Sequence, residues 1–439
     1  MTGRKSRIQR HLYRCRFIYT AFLLSAAIFV IVCIARAVYP FGARSILKVD
    51  LFHQYAPYLE EFRSRVLEGK SLVYSWETGL GKDFLAQTAY YAASPLNFLV
   101  FLFPRQMISE VIALLILLKV SLSASSFTWY LREHFRRNDP SILLFGLMYA
   151  FCAFVTCYYW NIMWLDTVAL FPLTAMGCER LIREGKVTLY YAALTLTMIV
   201  NFYLAVPVCI LITLYAAVCA LSVPNQIPDA GPGSYPSFTD TSFSGPAMRR
   251  SLPRAALCFA AVSELSAMSA MFILGPVAAA LRETAVSGAA FPPPVLYPNW
   301  LQLLSAHFPG ARDAVLARNE DMPNLCSGLL PVLLLPLYYN CGNIPRREKI
   351  LYSSLLIFML LCACLCPLDF MIHGFHFPAN LPHRYTFVYS FILLCMAYRG
   401  FERTLLPRPA RDLSAGSSAG PDPRYSSGSD DSSAETVPG

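Results

Sequence analysis

Two carboxylates and one guanidinium, Asp50, Asp166 and Arg384, lie far apart in the chain, yet each stands at the end of a long apolar run, beside an aromatic-rich polar segment. An ionisable group next to a bilayer is costly unless it is paired or functional, so each is a candidate site residue. Asp50 opens DLFHQY. It is either a general base or a solvated aspartate capping the helix that follows. Asp166, in NIMWLD, either shares the chemistry as an orienting or metal-binding carboxylate or caps the next helix. Arg384 follows HFPANLPH and offers a permanently charged fork of donors suited to phosphate or pyrophosphate. Snorkelling to the headgroup level is its plainer alternative.

Other residues surround these three. SWETGLGKDF supplies Trp76, whose ring can stack on a sugar face, with Gly79 and Gly81 allowing close backbone approach. No GK[ST] ends this segment, and HExxH and the kinase set do not occur, so the soluble-enzyme templates do not fit. His53, one turn after Asp50, either polarises it or is a polar face residue. His373, His376 and His383 share one loop, but their spacing matches no zinc or manganese signature, and histidines in such an outer loop are usually only solvated. The 14 cysteines are scattered, and the alternating Cys362, Cys364 and Cys366 do not share a helical face, which points to packing.

The elements that must position these residues follow from composition. Of the 439 residues 56% are hydrophobic and 14% charged, against roughly a quarter charged in soluble domains, so the chain reads as a polytopic membrane protein. Its first apolar run, residues 17–39, follows the basic segment RKSRIQRHLYRCR and lacks a small-residue cleavage site; it reads as a retained signal anchor. The net charge of +9 does not imply nucleic acid, because the basic residues sit in short loops beside apolar runs, where the positive-inside rule accounts for them.

With residues 1–16 in the cytoplasm, the threading gives about ten spans: 17–39, 107–131, 141–159, 167–182, two within 187–223 with a turn near Asn201 to Pro207, then 254–280, 325–339, 350–368 and 385–401. The large outer loop 40–106 contains an amphipathic helix over 54–68 ending at Gly69, and a re-entrant or interfacial piece between Pro95 and Pro104. Residues 224–252 and the tail from 404 are expected to be disordered. Each inner loop carries three or more Lys or Arg, whereas the outer turns at Asp166 and Asn201 carry none. On this threading Asp50, Asp166, Asn201 and Arg384 share the outer face.

The ordered motifs DxxHQY, LEGKSLxYSWxxGLG, YYxxSPLN, NxMWLD, NFY and PANLPHRYTF, from Asp50 to Arg399, resemble the YfhO family of bacterial membrane proteins. The resemblance implies an all-α, GT-C-like transmembrane bundle and a glycosyltransferase that takes sugar from a polyprenyl-phosphate donor on the extracytoplasmic side. It places Asp50 where the first-outer-loop aspartate of such enzymes serves as general base, and it links the family to cell-envelope polymers such as lipoteichoic acid. Here Glu77 stands where asparagine is expected and His53 where glutamine is common, and family members usually continue into further spans where this chain passes into a polar tail.

The expectation is therefore a multi-pass cell-membrane glycosyltransferase with both termini cytoplasmic. Asp50 and Asp166 are its catalytic pair, and His53, Gln54, Trp76, Tyr90, Asn201 and Arg384 bind substrate. The sequence requires no cofactor and assigns no metal ligands, while leaving room for a divalent cation. The partners are the lipid bilayer, the polyprenyl-phosphate sugar and a cell-envelope polymer acceptor, with no nucleic acid. A transporter or scaffold for lipid-linked substrates is the alternative, and a charged pair at mid-bilayer would favour it.

Overall fold

A computed structural model describes residues 2–222, 252–282, 290–296, 300–311, 322–378 and 381–406. The chain divides into two units, Met1–Thr404 and Leu405–Gly439, and nearly all the described residues belong to the first. The expected disordered loop 224–252 and the tail fall almost wholly outside the described residues.

The first helix, α1 (Thr2–Ala35), runs straight through the basic segment into the apolar run, because no proline interrupts a stretch rich in Arg, Leu and Ile. It leaves most of its apolar surface outside the bundle, as suits a helix in hydrocarbon. Next comes a π-helical turn, Leu51–Tyr55, leading into α2 (Ala56–Glu68), which ends at Gly69 in the left-handed conformation that glycine adopts without strain. A two-stranded hairpin, β1 (Tyr74–Ser75) and β2 (Lys82–Asp83), precedes α3 (Phe84–Tyr91) and a 3-10 segment, Pro95–Leu102. That segment is too short to cross a bilayer, in keeping with the expectation for it.

The bundle proper begins with α4 (Ile108–Phe135), α5 (Pro140–Ala150), α6 (Ala153–Tyr158) and α7 (Ile162–Glu184). It continues through α8 (Thr188–Val200), α9 (Phe202–Ser222), α10 (Leu252–Ser269), α11 (Met271–Arg282) and the short α12 (Trp300–Ser305). Last are α13 (Leu329–Asn340), α14 (Arg346–Cys364), α15 (Cys366–Ile372) and α16 (Thr386–Leu405). Helix α4 packs against α1, α5 and α7, and α7 packs against α8 and α9. At Gly177 on α7 a Cβ would stand 2.5 Å from the backbone nitrogen of Tyr190, so α7 and α8 touch main chain to main chain. Helix α16 is buried on all sides from Thr386 to Gly400. Its Phe391 ring meets Phe127, Tyr130, Tyr149, Phe171 and Tyr215, drawing α4, α5, α7 and α9 around one side chain.

Every apolar run read as a span is helical, but they are not ten uninterrupted crossings. Among the described residues four helices are long and apolar enough to cross a membrane, or five if α10 and α11 are counted as one span bent by 73°. Helices α8 and α13, of 13 and 12 residues, reach only about 20 Å at 1.5 Å per residue, short of the roughly 30 Å hydrocarbon core. The run 141–159 is interrupted at Phe151 and Cys152, and the break near Asn201 falls where the sequence placed it. This is an all-α membrane protein with broken helices.

Candidate functional site

Asp50 is the N-cap residue of the Leu51–Tyr55 turn, but its side chain makes no capping bond. Instead its Oδ1 accepts from Gln54 Nε2 at 3.0 Å, and Gln54 Oε1 accepts from the Tyr91 hydroxyl at 2.6 Å. Burial raises the Asp50 carboxyl above the ordinary carboxylate value, while the neighbouring His53 acts in the opposite sense. His53 itself is exposed and meets Phe52 edge-on.

Three tyrosines stand over this carboxylate. Tyr55 is fully buried and donates to Asn161 Oδ1 at 3.2 Å; the Tyr90 ring meets Tyr91 and Phe202. Burial pushes up the phenols of Tyr55 and Tyr90, and both also feel Asp50 from one side and Arg384 from the other. Tyr90 is in addition a hydrogen-bond partner of Arg384. The tyrosines thus place Asp50 and Arg384 around one aromatic wall.

Arg384 is 9% exposed. Its guanidinium lies 4.5 Å from the Tyr203 ring centre and 5.0 Å from that of Trp164, and its Nε donates to Leu381 O at 2.9 Å. Such a held guanidinium differs from a snorkelling surface arginine, which keeps its head in water. Nearby Asn201 is buried; its Oδ1 caps α9 by accepting from Leu204 N at 2.8 Å, and its Nδ2 donates to Met163 O at 3.4 Å. It therefore braces the Trp164 segment. Trp164 Nε1 and Asn161 Nδ2 are buried donors that meet no acceptor among the described residues.

Asp166 is not a helix cap, since α7 begins four residues earlier. Lys119 Nζ lies 2.7 Å from its Oδ2, and Ser94 donates to its Oδ1 at 2.9 Å. Lys119 is wholly buried and also reaches Ile162 O at 3.1 Å and Asn97 Oδ1 at 3.5 Å. Asn97 in turn donates to Tyr91 O at 3.2 Å. Among the described residues a chain of polar contacts over Lys119, Asn97, Tyr91 and Gln54 joins Asp166 to Asp50.

A family profile, Bacterial membrane protein YfhO, matches residues 21–409. The chain belongs to the YfhO family of bacterial membrane proteins. No curated protein and no solved structure matches it.

Within this YfhO-family chain one expected site residue stands apart. Trp76 is 76% exposed, and its ring contact is Tyr74 at 5.0 Å on the hairpin, not the aromatic wall around Arg384. The hairpin is tied back to α2, where Glu61 pairs with Arg65 at 2.8 Å and accepts from Thr78 at 2.5 Å and from Ser75, which carries Trp76 outward. Among the buried charged residues that the sequence reading did not single out, Lys119 and Asp369 lie nearest to its candidates, the latter in contact with His373 and His383. A lone lysine within the run LLILLKVSLS was the available signal for the first, because a charge inside an apolar span needs a partner. Among the described residues no group of three His, Cys, Asp or Glu is placed to hold a metal.

Proposed function

We propose that this protein is a GT-C-like membrane glycosyltransferase that transfers sugar from a polyprenyl-phosphate donor to a cell-envelope polymer, such as lipoteichoic acid, on the extracytoplasmic side. The observation that supports this most is the shared aromatic wall with a partly buried carboxylate, Asp50, on one side and a held guanidinium, Arg384, on the other. The donor phosphate is bound by Arg384, with Trp164 Nε1 and Asn161 Nδ2 as further donors of the right kind.

An acceptor hydroxyl attacks the anomeric carbon. Its proton goes to Asp50, the new glycosidic bond forms, and the bond from carbon to phosphate oxygen breaks with its electron pair leaving on the polyprenyl phosphate. The Arg384 charge stabilises that leaving group. Gln54 and Tyr91 fix the Asp50 carboxylate, His53 tunes it, and Tyr90 lies between the two reacting ends. Asp166 serves a different purpose from the one expected of it. Engaged by Lys119 and Ser94, it anchors the Pro95–Leu102 segment. Both termini lie in the cytoplasm in this reading.

Purified protein incubated with polyprenyl-phosphate sugars and a glycerol-phosphate polymer tests it. Sugar transfer that is lost in Asp50→Asn is the expected result; full transfer in that variant removes Asp50 from the mechanism. A second reading, transport of lipid-linked sugar, is favoured by the Lys119–Asp166 pair, since Lys119 lies eleven residues into α4, about 16 Å along it. Movement of a lipid-linked sugar across proteoliposomes without transfer would establish that alternative.

A further inference from the structure

Asp369 is a buried acid that the proposed reaction does not use. It sits on α15, the short helix that follows the break at Leu365, and is 0% exposed. Its Oδ1 lies 3.2 Å from His373 Nδ1, one turn further on, and 3.5 Å from His383 Nδ1. Burial pushes its carboxyl up, but the two imidazoles facing it outweigh that and hold it well below the usual carboxylate range.

The His373 ring has its two nitrogens differently occupied. Nδ1 is 2.8 Å from the Asp369 main-chain oxygen, which places a proton there and leaves Nε2 as an acceptor. Nε2 lies 3.4 Å from the backbone nitrogen of Arg384, whose N–H donates to it. The His373 ring, hydrogen-bonded to the Asp369 main chain and in charge contact with its carboxylate at 3.2 Å, therefore ends on the main chain of the residue assigned above to the phosphate.

That stretch of main chain needs holding. Leu381 and His383 have φ of +62° and +53°, a left-handed conformation unfavourable for side chains with a Cβ, on either side of Pro382. Pro382 O accepts from the Tyr158 hydroxyl at 3.2 Å, and Leu381 O accepts from Arg384 Nε at 2.9 Å. Strained residues persist only where their surroundings over-determine them. Here the surroundings are Asp369, its two histidines and Tyr158.

We propose that Asp369 is a positioning residue: through His373 and His383 it holds the 381–385 turn so that the Arg384 guanidinium sits between Trp164 and Tyr203, and so it sets affinity for a prenyl-phosphate head group. The affinity half rests on the assignment of Arg384 to phosphate made above. The positioning half does not depend on it.

The experiment uses the full chain in detergent micelles with Asp369→Asn, Arg384→Gln and the double variant, after thermal unfolding shows that each is folded. Without ligand, the emission of Trp164, isolated by difference from Trp164→Phe, should change alike in both single variants and no further in the double. With geranyl phosphate as probe, Asp369→Asn should weaken binding by about tenfold or more, through loss of the buried carboxylate's charge contact with the two imidazoles. It should have no effect once Arg384 is already Gln. Should Asp369→Asn fail to fold, His373→Phe, which keeps the ring but removes the Nε2 acceptor, carries the same test. Unchanged Trp164 emission with unchanged binding, or losses that add in the double variant, overturns the proposal. A wild-type protein that ignores geranyl phosphate but shows the non-additive emission change would overturn the phosphate assignment and leave Asp369 as the positioning residue.

Discussion

Around Glu179 the bundle gathers four partners on one buried carboxylate, whereas Asp50 keeps a single close partner. Glu179, thirteen residues beyond Asp166 on α7, is buried and accepts from the hydroxyls of Tyr130, at 2.8 Å, and Tyr215. His134 Nδ1 lies 2.8 Å away and Arg183 at 3.7 Å. Next to it Arg399 pairs with Glu348 at 3.1 Å and with Glu402 at 3.7 Å. These contacts bind α4, α7, α9, α14 and α16 together. Asp50, by contrast, is only partly buried and has Gln54 as its close partner, and its aromatic surroundings include buried donors with no acceptor among the described residues. The same residue types, acid, arginine and tyrosine, therefore serve cohesion in one place and, in the proposed reaction, ligand binding in the other. What separates them is how deeply each carboxylate is buried and how many partners it has.

The contrast is sharpest in what removing each carboxylate does. Asp50→Asn should cut transfer by about 10²- to 10⁴-fold, the usual worth of a general base, while leaving the unfolding midpoint in detergent close to wild type. A large loss of stability in that variant would put Asp50 in the cohesive class. Glu179→Ala should do the reverse. Removing one partner of a buried, hydrogen-bonded charge cluster costs about 3–5 kcal/mol, to be seen in the unfolding midpoint rather than in the activity of the protein that stays folded. Lys119→Met belongs with it, with a destabilisation of the same order and added protease sensitivity in the Pro95–Leu102 segment that Asp166 and Asn97 anchor.

Smaller effects test the binding cluster itself. Because burial raises the Asp50 carboxyl, the proton is held more tightly and the acid limb of the pH–activity profile should lie above the ordinary carboxylate range. His53 opposes that shift, so His53→Ala should move the limb to still higher pH; a move downward would contradict the geometry. Trp76→Ala, far out on the hairpin, should change unfolding free energy by no more than about 0.5 kcal/mol, and a loss of transfer in that variant would extend the site to the hairpin.

Much of this was readable from residue order. The helix over 54–68, the short piece after Pro95 and the break at Asn201 follow from local signals: apolar periodicity, proline, and a glycine or asparagine at a helix end. Asp50 and Arg384 were found because a charge at the end of an apolar run is conspicuous. Trp76 could not be placed from sequence, because an aromatic beside glycines looks the same whether its hairpin folds toward the pocket or away from it. Asp166 was identified as important, but its partner Lys119 lies 47 positions earlier.

By itself the sequence determined that this chain lives in a membrane, is mainly helical in its apolar runs, and carries charged candidate residues at their ends, since hydrophobicity and helical periodicity act over a few turns. Only the tertiary structure decided which charges are spent on each other and which stay available. That follows from pairing at about 3 Å between α4 and α7, or between α15 and the turn before α16, and such distances are set by how helices pack, which no short stretch of sequence encodes.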